Sequence, residues 1–113
     1  MVNSFPKSSK VVVIGGGVAG CSVAYHLAKF GWKDTILLER DQLTSGTTWH
    51  AAGLIGQLGA TATITKLREY SLNLYKELER KTELSTGLKQ NGAITIATSK
   101  ERLQELLRQA TSA

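Results

Sequence analysis

The chain has a single cysteine, Cys21, in 113 residues. No disulfide can form within it, which fits a reducing compartment. Cys21 falls on the first helix of the pattern, where it reads as a small apolar packing residue rather than a redox thiol. No run of roughly 18 apolar residues occurs, so no membrane span is expected. The stretch from Met1 to Lys10 has no apolar core and does not read as a secretory signal, and it is short for an Arg-rich transit peptide. A cytoplasmic protein is the simplest reading of these features. There is no internal repeat, no low-complexity linker and no metal-ligand cluster. A block of like charge is also missing. Lys plus Arg number 14 against 9 for Asp plus Glu, a net charge of +5. The basic residues are scattered, and many alternate with acids along the later helix. That pattern makes a solvated surface, not a nucleic-acid patch. Charge is absent altogether between Gln42 and Thr65, in a chain that is 20% charged. Such a window points to burial or to close contact with a ligand.

What is present is concentrated between residues 11 and 53. The apolar run Val11-Val12-Val13-Ile14 feeds into Gly15-Gly16-Gly17-Val18-Ala19-Gly20, and a second apolar run, Ile36-Leu37-Leu38, ends at Glu39. This reads as strand, tight turn, helix, strand. Gly15 lets the chain turn off the first strand, Gly17 lets a pyrophosphate approach the backbone, and Gly20 lets the helix pack on the sheet. The helix start presents unpaired N–H groups and the positive end of its macrodipole to the phosphates. Ala24 and Ala28 continue at helical spacing, and Gly31 suits a left-handed C-cap. Glu39 lies about twenty residues beyond Gly20, where a carboxylate accepts the ribose hydroxyls of an adenosine and repels a 2′-phosphate. NADP is therefore disfavoured, while FAD and NAD each satisfy these residues. A glycine-rich turn without a ligand is the plain alternative.

The length allows one domain at most. The patterns predict strands at about 10–15 and 34–39, a helix at about 17–30, and loop with a short helix over 40–60. A long helix is expected at about 61–84, with Ile64, Leu67, Leu74, Tyr75 and Leu78 on its apolar face. Asn91-Gly92 signals a turn, and Ala93-Ile94-Thr95-Ile96-Ala97 alternates like a strand. Ser99 looks like the N-cap of a last helix to about Gln109, with Leu103, Leu106 and Leu107 on one face. The class is α/β: a Rossmann-like dinucleotide-binding domain with a G-x-G-x-x-G turn. Two or three strands are few for a doubly wound sheet covered on both faces. Residues 1–113 are therefore expected to be the N-terminal part of a larger doubly wound fold, or a truncated chain, without its substrate domain.

The uncharged window contains Gly46, Gly53, Gly56 and Gly59, whose backbone can lie against a flat ring or a phosphate. Ser45, Thr47 and Thr48 offer hydroxyl hydrogens. A buried connector that only packs is the competing reading. His50 sits inside this window, where a histidine is by default structural. Trp49 either packs on a bound ring or fills a pocket, and packing is the favoured reading.

The block Leu43-Thr44-Ser45-Gly46-Thr47-Thr48-Trp49-His50-Ala51-Ala52-Gly53-Leu54 resembles the flavin-attachment segment of the sarcosine and dimethylglycine dehydrogenases. These belong to the D-amino-acid-oxidase-like flavoproteins. The resemblance runs over roughly residues 10–108 and includes Gly15, Gly17, Gly20, Glu39 and the later Gln90-Asn91-Gly92-Ala93-Ile94. Its Thr-Ser-Gly-Thr-Thr-Trp-His wording is closer to the sarcosine branch. The resemblance implies FAD attached covalently at His50 through the 8α carbon of the ring. With it, the candidate cofactor-binding residues are Gly15, Gly17, Gly20, Glu39, Arg40, Ser45, Gly46, Thr47, His50, Ala51 and Gly53. It further implies oxidation of an N-methylated glycine, a small-molecule amine, with hydride passing from the N-methyl carbon to flavin. The product carbon is released as formaldehyde or passed to tetrahydrofolate, and electrons leave to an acceptor such as an electron-transfer flavoprotein. In a eukaryote the implied location is the mitochondrial matrix. No catalytic residue is named, because the family's substrate-binding half has no counterpart here. Two alternatives remain: a non-catalytic relative resembling the pyruvate dehydrogenase phosphatase regulatory subunit, whose branch lacks the histidine, and a plain NAD-binding module, which has no need of the Ser45–Gly53 block.

Overall fold

The computed structural model describes residues 6–111. The chain forms two compact units, Met1–Gly53 and Leu54–Ala113.

The first unit begins with strand β1, Val11–Ile14, followed by helix α1, Val18–Lys29, and strand β2, Thr35–Leu38. β-branched and aliphatic residues favour the pleated strand, and the two strands pair in parallel from Val11 opposite Thr35 to Ile14 opposite Leu38. Parallel strands need a crossover, and α1 supplies it. The expected α/β class and the parallel order are borne out. Side chains alternate along β1: Val11 and Val13 are half-buried, while Val12 and Ile14 point away and are exposed. α1 ends as its sequence predicts. Gly31 adopts φ +87°, Gly31 N–H donates to Ala28 O at 3.0 Å, and Trp32 N–H donates to Leu27 O at 2.9 Å. These are the paired bonds of a Schellman stop. At the other end of the sheet, Lys10 N–H and the Ser9 hydroxyl both donate to Asp34, which ties the start of β1 to the start of β2. After β2 the chain loops into a single 3-10 turn, Thr47–His50.

The second unit holds helices α2, Ala62–Thr82, and α3, Lys100–Thr111. The Thr61 side chain caps α2 by accepting from Ile64 N–H at 3.3 Å. Ser99 caps α3 by accepting from Arg102 N–H at 3.1 Å, as its sequence position predicts. Leu72, absent from the expected apolar face, is the one buried hydrophobic among the described residues of the chain, and Ile64 and Leu67 are exposed. Leu74, Tyr75 and Leu78 are half-buried.

Two expectations need correcting. The strand expected at 93–97 is irregular, with Ile94 93% and Ile96 77% exposed. A strand forms only where a neighbour takes its N–H and C=O groups, and among the described residues none pairs with this segment. Of the two readings of the uncharged window, burial is not what forms: the window is mostly exposed, Trp49 included at 79%.

Candidate dinucleotide site and the Thr47–His50 turn

The glycine turn is built by two different constraints. Gly15 leaves β1 with φ +101°, a left-handed conformation that side chains disfavour, and its N–H donates to Leu38 O at 2.8 Å. Gly20 faces back onto that turn. A Cβ on Gly20 would stand 1.8 Å from Gly15 O and 3.5 Å from Val13 Cγ1. Only hydrogen fits there, so α1 starts close against the end of β1. Cys21 lies on the same side: its thiol donates to Gly16 O at 3.4 Å, which suits the packing role read from sequence.

Glu39 follows the last residue of β2 and turns its carboxylate onto this loop. Gly16 N–H donates to Oε2 at 2.6 Å, and Asp41 N–H donates to Oε1 at 3.0 Å. The Gly16 N–H bond, with the one from Asp41, holds the Glu39 carboxyl below its ordinary value of 4.5. Each carboxylate oxygen keeps acceptor capacity toward a further donor.

Between the glycine turn and the loop after β2 lies an open groove of about 790 Å³. Its size falls in the ~300–1,000 Å³ range of cofactor and ligand sites. Of the sequence-predicted residues, Gly15, Gly17, Glu39, Arg40, Ser45, Gly46, Thr47 and Ala51 line it. Gly20 supports it from behind. His50 and Gly53 are not among its lining residues; His50 stands exposed on the adjoining 3-10 turn. Ser45 has its hydroxyl hydrogen engaged by Gln42 O at 2.8 Å. Asp41, not singled out from sequence, also lines the groove, as does Thr48, whose hydroxyl the sequence offered alongside Ser45 and Thr47. The run of acids flanking Arg40 was a visible signal for Asp41. For Thr48 the sequence showed a hydroxyl but not its bond to Val18 N–H, which lies thirty positions away.

On the 3-10 turn, His50 Nδ1 lies 3.0 Å from Gly46 O. A carbonyl oxygen only accepts, so this bond assigns the hydrogen to Nδ1. In the neutral ring Nε2 then carries the lone pair.

The FAD dependent oxidoreductase family model (DAO) matches residues 10–113. The chain belongs to this FAD dependent oxidoreductase family. Among its relatives, human mitochondrial sarcosine dehydrogenase is 48% identical over 104 residues, covering 91% of this chain and 11% of the relative. Rat mitochondrial dimethylglycine dehydrogenase is 45% identical over 103 residues, 91% of this chain and 12% of that protein. The mouse mitochondrial pyruvate dehydrogenase phosphatase regulatory subunit is 40% identical over 105 residues, 93% of this chain and 12% of that protein. The chain thus spans only 11–12% of the length of these relatives. Its β1–α1–β2 unit is the start of the family's Rossmann-like FAD-binding domain. No helix among the described residues is long and apolar enough to cross a membrane.

The residues present fit the adenosine and pyrophosphate half of such a cofactor. The groove is open, the closest backbone approach is at glycines, and an acceptor carboxylate sits at the end of β2.

Proposed function

We propose that this chain provides the adenosine and pyrophosphate site of an FAD-dependent amine dehydrogenase, with the flavin tethered at His50. The observation that carries the reading is a juxtaposition. The Gly15–Gly20 turn and Glu39 form one wall of the groove, and the turn bearing His50 adjoins it with Nδ1 turned to the Gly46 carbonyl. FAD bound here would supply a two-electron acceptor, with His50 placed to hold its ring covalently. Gly15 and Gly17 admit the pyrophosphate, and the α1 N-terminus stabilises its charge. Glu39 accepts the ribose hydroxyls and disfavours NADP. The Gly46 carbonyl fixes the imidazole tautomer.

The names of the sarcosine and dimethylglycine dehydrogenase relatives support an N-methylated glycine as the substrate. Electrons pass to an acceptor such as an electron-transfer flavoprotein. The relatives' mitochondrial names favour the matrix in a eukaryote, and the cytoplasm is the bacterial counterpart. The regulatory-subunit relative keeps a second, non-catalytic reading alive, and His50 discriminates between them.

The test uses protein expressed from its complete coding region. After acid precipitation and denaturing electrophoresis, flavin fluorescence should stay with the polypeptide, and mass spectrometry should place it on the peptide containing His50. His50→Ala should release the flavin on denaturation while retaining part of it non-covalently in the native state. Denatured wild-type protein free of flavin on that peptide would falsify the tether. Turnover of N-methylglycine, N,N-dimethylglycine and longer N-methyl amino acids then assigns the substrate; no turnover with any of them defeats the amine dehydrogenase assignment.

A further inference from the structure

α1 begins without a cap of its own. Its N-cap is Gly17, which has no side chain, so the first N–H groups of the helix lack a local acceptor. The acceptor for Val18 N–H comes from far along the chain: Thr48 Oγ1, at 2.9 Å. The same oxygen stands 3.1 Å from where a Cβ on Gly17 would sit, so a side chain at Gly17 would press on the contact. Thr48 is half-buried and belongs to the 3-10 turn that ends at His50. That turn is not held by packing, since Trp49 within it is 79% exposed. Its internal bonds are Trp49 N–H to Gly46 O at 3.2 Å and His50 Nδ1 to Gly46 O at 3.0 Å. Upstream, Thr44 N–H donates to Gly16 O at 2.9 Å.

We infer that Thr48 is the positioning residue for His50. Its hydroxyl clips the histidine-bearing turn to the start of the phosphate-binding helix. The inference rests on the proposed tether and adds the device that aims it. The hydroxyl oxygen accepts from Val18 N–H and keeps its own hydrogen for a further acceptor. A phosphate entering at the α1 N-terminus and an imidazole waiting on the turn are thereby referenced to one point. Without the clip, the bond to the glycine loop that lies nearest the turn among the described residues is Thr44 N–H to Gly16 O, two residues before Gly46. Attachment demands a narrow approach of nitrogen to carbon, and small misplacements slow such steps steeply. Non-covalent binding depends on the glycines and Glu39 and is less sensitive.

The experiment compares wild type, Thr48→Val and Thr48→Ser, each expressed from the complete coding region under riboflavin limitation. Each protein is mixed with FAD. Covalent flavin is followed by in-gel fluorescence after acid quench, and non-covalent flavin by its release on denaturation. Thr48→Val keeps the side chain's shape and removes the acceptor; its covalent attachment should slow about tenfold, the order expected for losing one net hydrogen bond. It should still bind FAD before attachment. Thr48→Ser restores the hydroxyl and should attach at close to the wild-type rate. Attachment by Thr48→Val at the wild-type rate overturns the role of Thr48 and leaves the tether standing. Loss of non-covalent FAD along with attachment, or failure of Thr48→Ser to rescue, makes Thr48 a general structural residue and equally overturns it. Wild-type protein that never acquires flavin on the His50 peptide overturns both readings together.

Discussion

Replacing Gly20 with Ala tests whether the close start of α1 is what forms the site. The added Cβ would stand 1.8 Å from Gly15 O, and real Cβ atoms essentially never come within 3.0 Å. Something must move, and the structure says which side. Gly15 N–H is held by Leu38 O at 2.8 Å and Gly16 N–H by Glu39 at 2.6 Å, so the turn is anchored to β2. α1 must therefore retreat. A retreat on the order of 1 Å takes the 2.9 Å Val18–Thr48 bond beyond hydrogen-bonding length. Overpacking typically costs about 1–3 kcal/mol. The lost bond adds about 1 kcal/mol. Alanine's better helix propensity returns up to about 1 kcal/mol. The net expectation is a loss of about 1–4 kcal/mol, read as a lower urea midpoint by far-ultraviolet circular dichroism, together with reduced flavin per polypeptide. Gly31→Ala is the matched control. Gly31 also needs a left-handed φ, +87°, but a Cβ there meets nothing within 4 Å. It should lose about 1–2 kcal/mol and keep its flavin. If Gly20→Ala matches wild type within about 0.5 kcal/mol and carries normal flavin, the tight helix start is not what shapes the groove.

Two predictions concern acids. Glu39 is held below 4.5 chiefly by Gly16 N–H, so its contribution to the loop is full above pH 4.5 and is lost as pH falls through its lowered value. In ligand-free protein the Gly16 amide resonance should titrate with a midpoint below 4.5, and Glu39→Gln should abolish that titration; a midpoint at or above the ordinary value contradicts the bond. On α3, Glu105 accepts from Arg108 Nε at 2.9 Å and from its terminal nitrogen at 2.7 Å, and with Gln109 this pulls the carboxyl down to about 2. Carbon-detected titration should find it there and should find Arg108→Ala returning it toward 4.5; the pair's support for the helix is present above that ordinary value and disappears as pH falls through the lowered one.

The parts of the fold legible in sequence are those whose signal is local. The β1–α1–β2 unit was readable because apolar runs, glycine spacing and the Gly31 stop each act within a few residues. The caps at Thr61 and Ser99 obey the same rule: each side chain answers an N–H three positions on. Residues 93–97 show the limit. Their alternation records a tendency to form a strand, but a strand is a relation between two segments, and Ile94 and Ile96 have no partner among the described residues. Leu72 was missed for the opposite reason. Helical spacing names a set of apolar residues, while packing picks the one that is covered.

The site divides in the same way. Gly15, Gly17 and Glu39 were expected at one ligand from spacing alone, and all three line one groove. The clip between Thr48 and Val18 joins residues thirty positions apart and leaves no periodic trace. Its physical cause is nevertheless in the sequence. A glycine at the N-cap, which suits close approach of a phosphate, leaves the helix start without a side-chain acceptor. The need for glycine at Gly17 therefore creates the need for a hydroxyl from elsewhere, and Thr48 meets it from the turn that carries His50. The proposed phosphate site and the histidine turn are coupled because the helix start cannot complete its own hydrogen bonds.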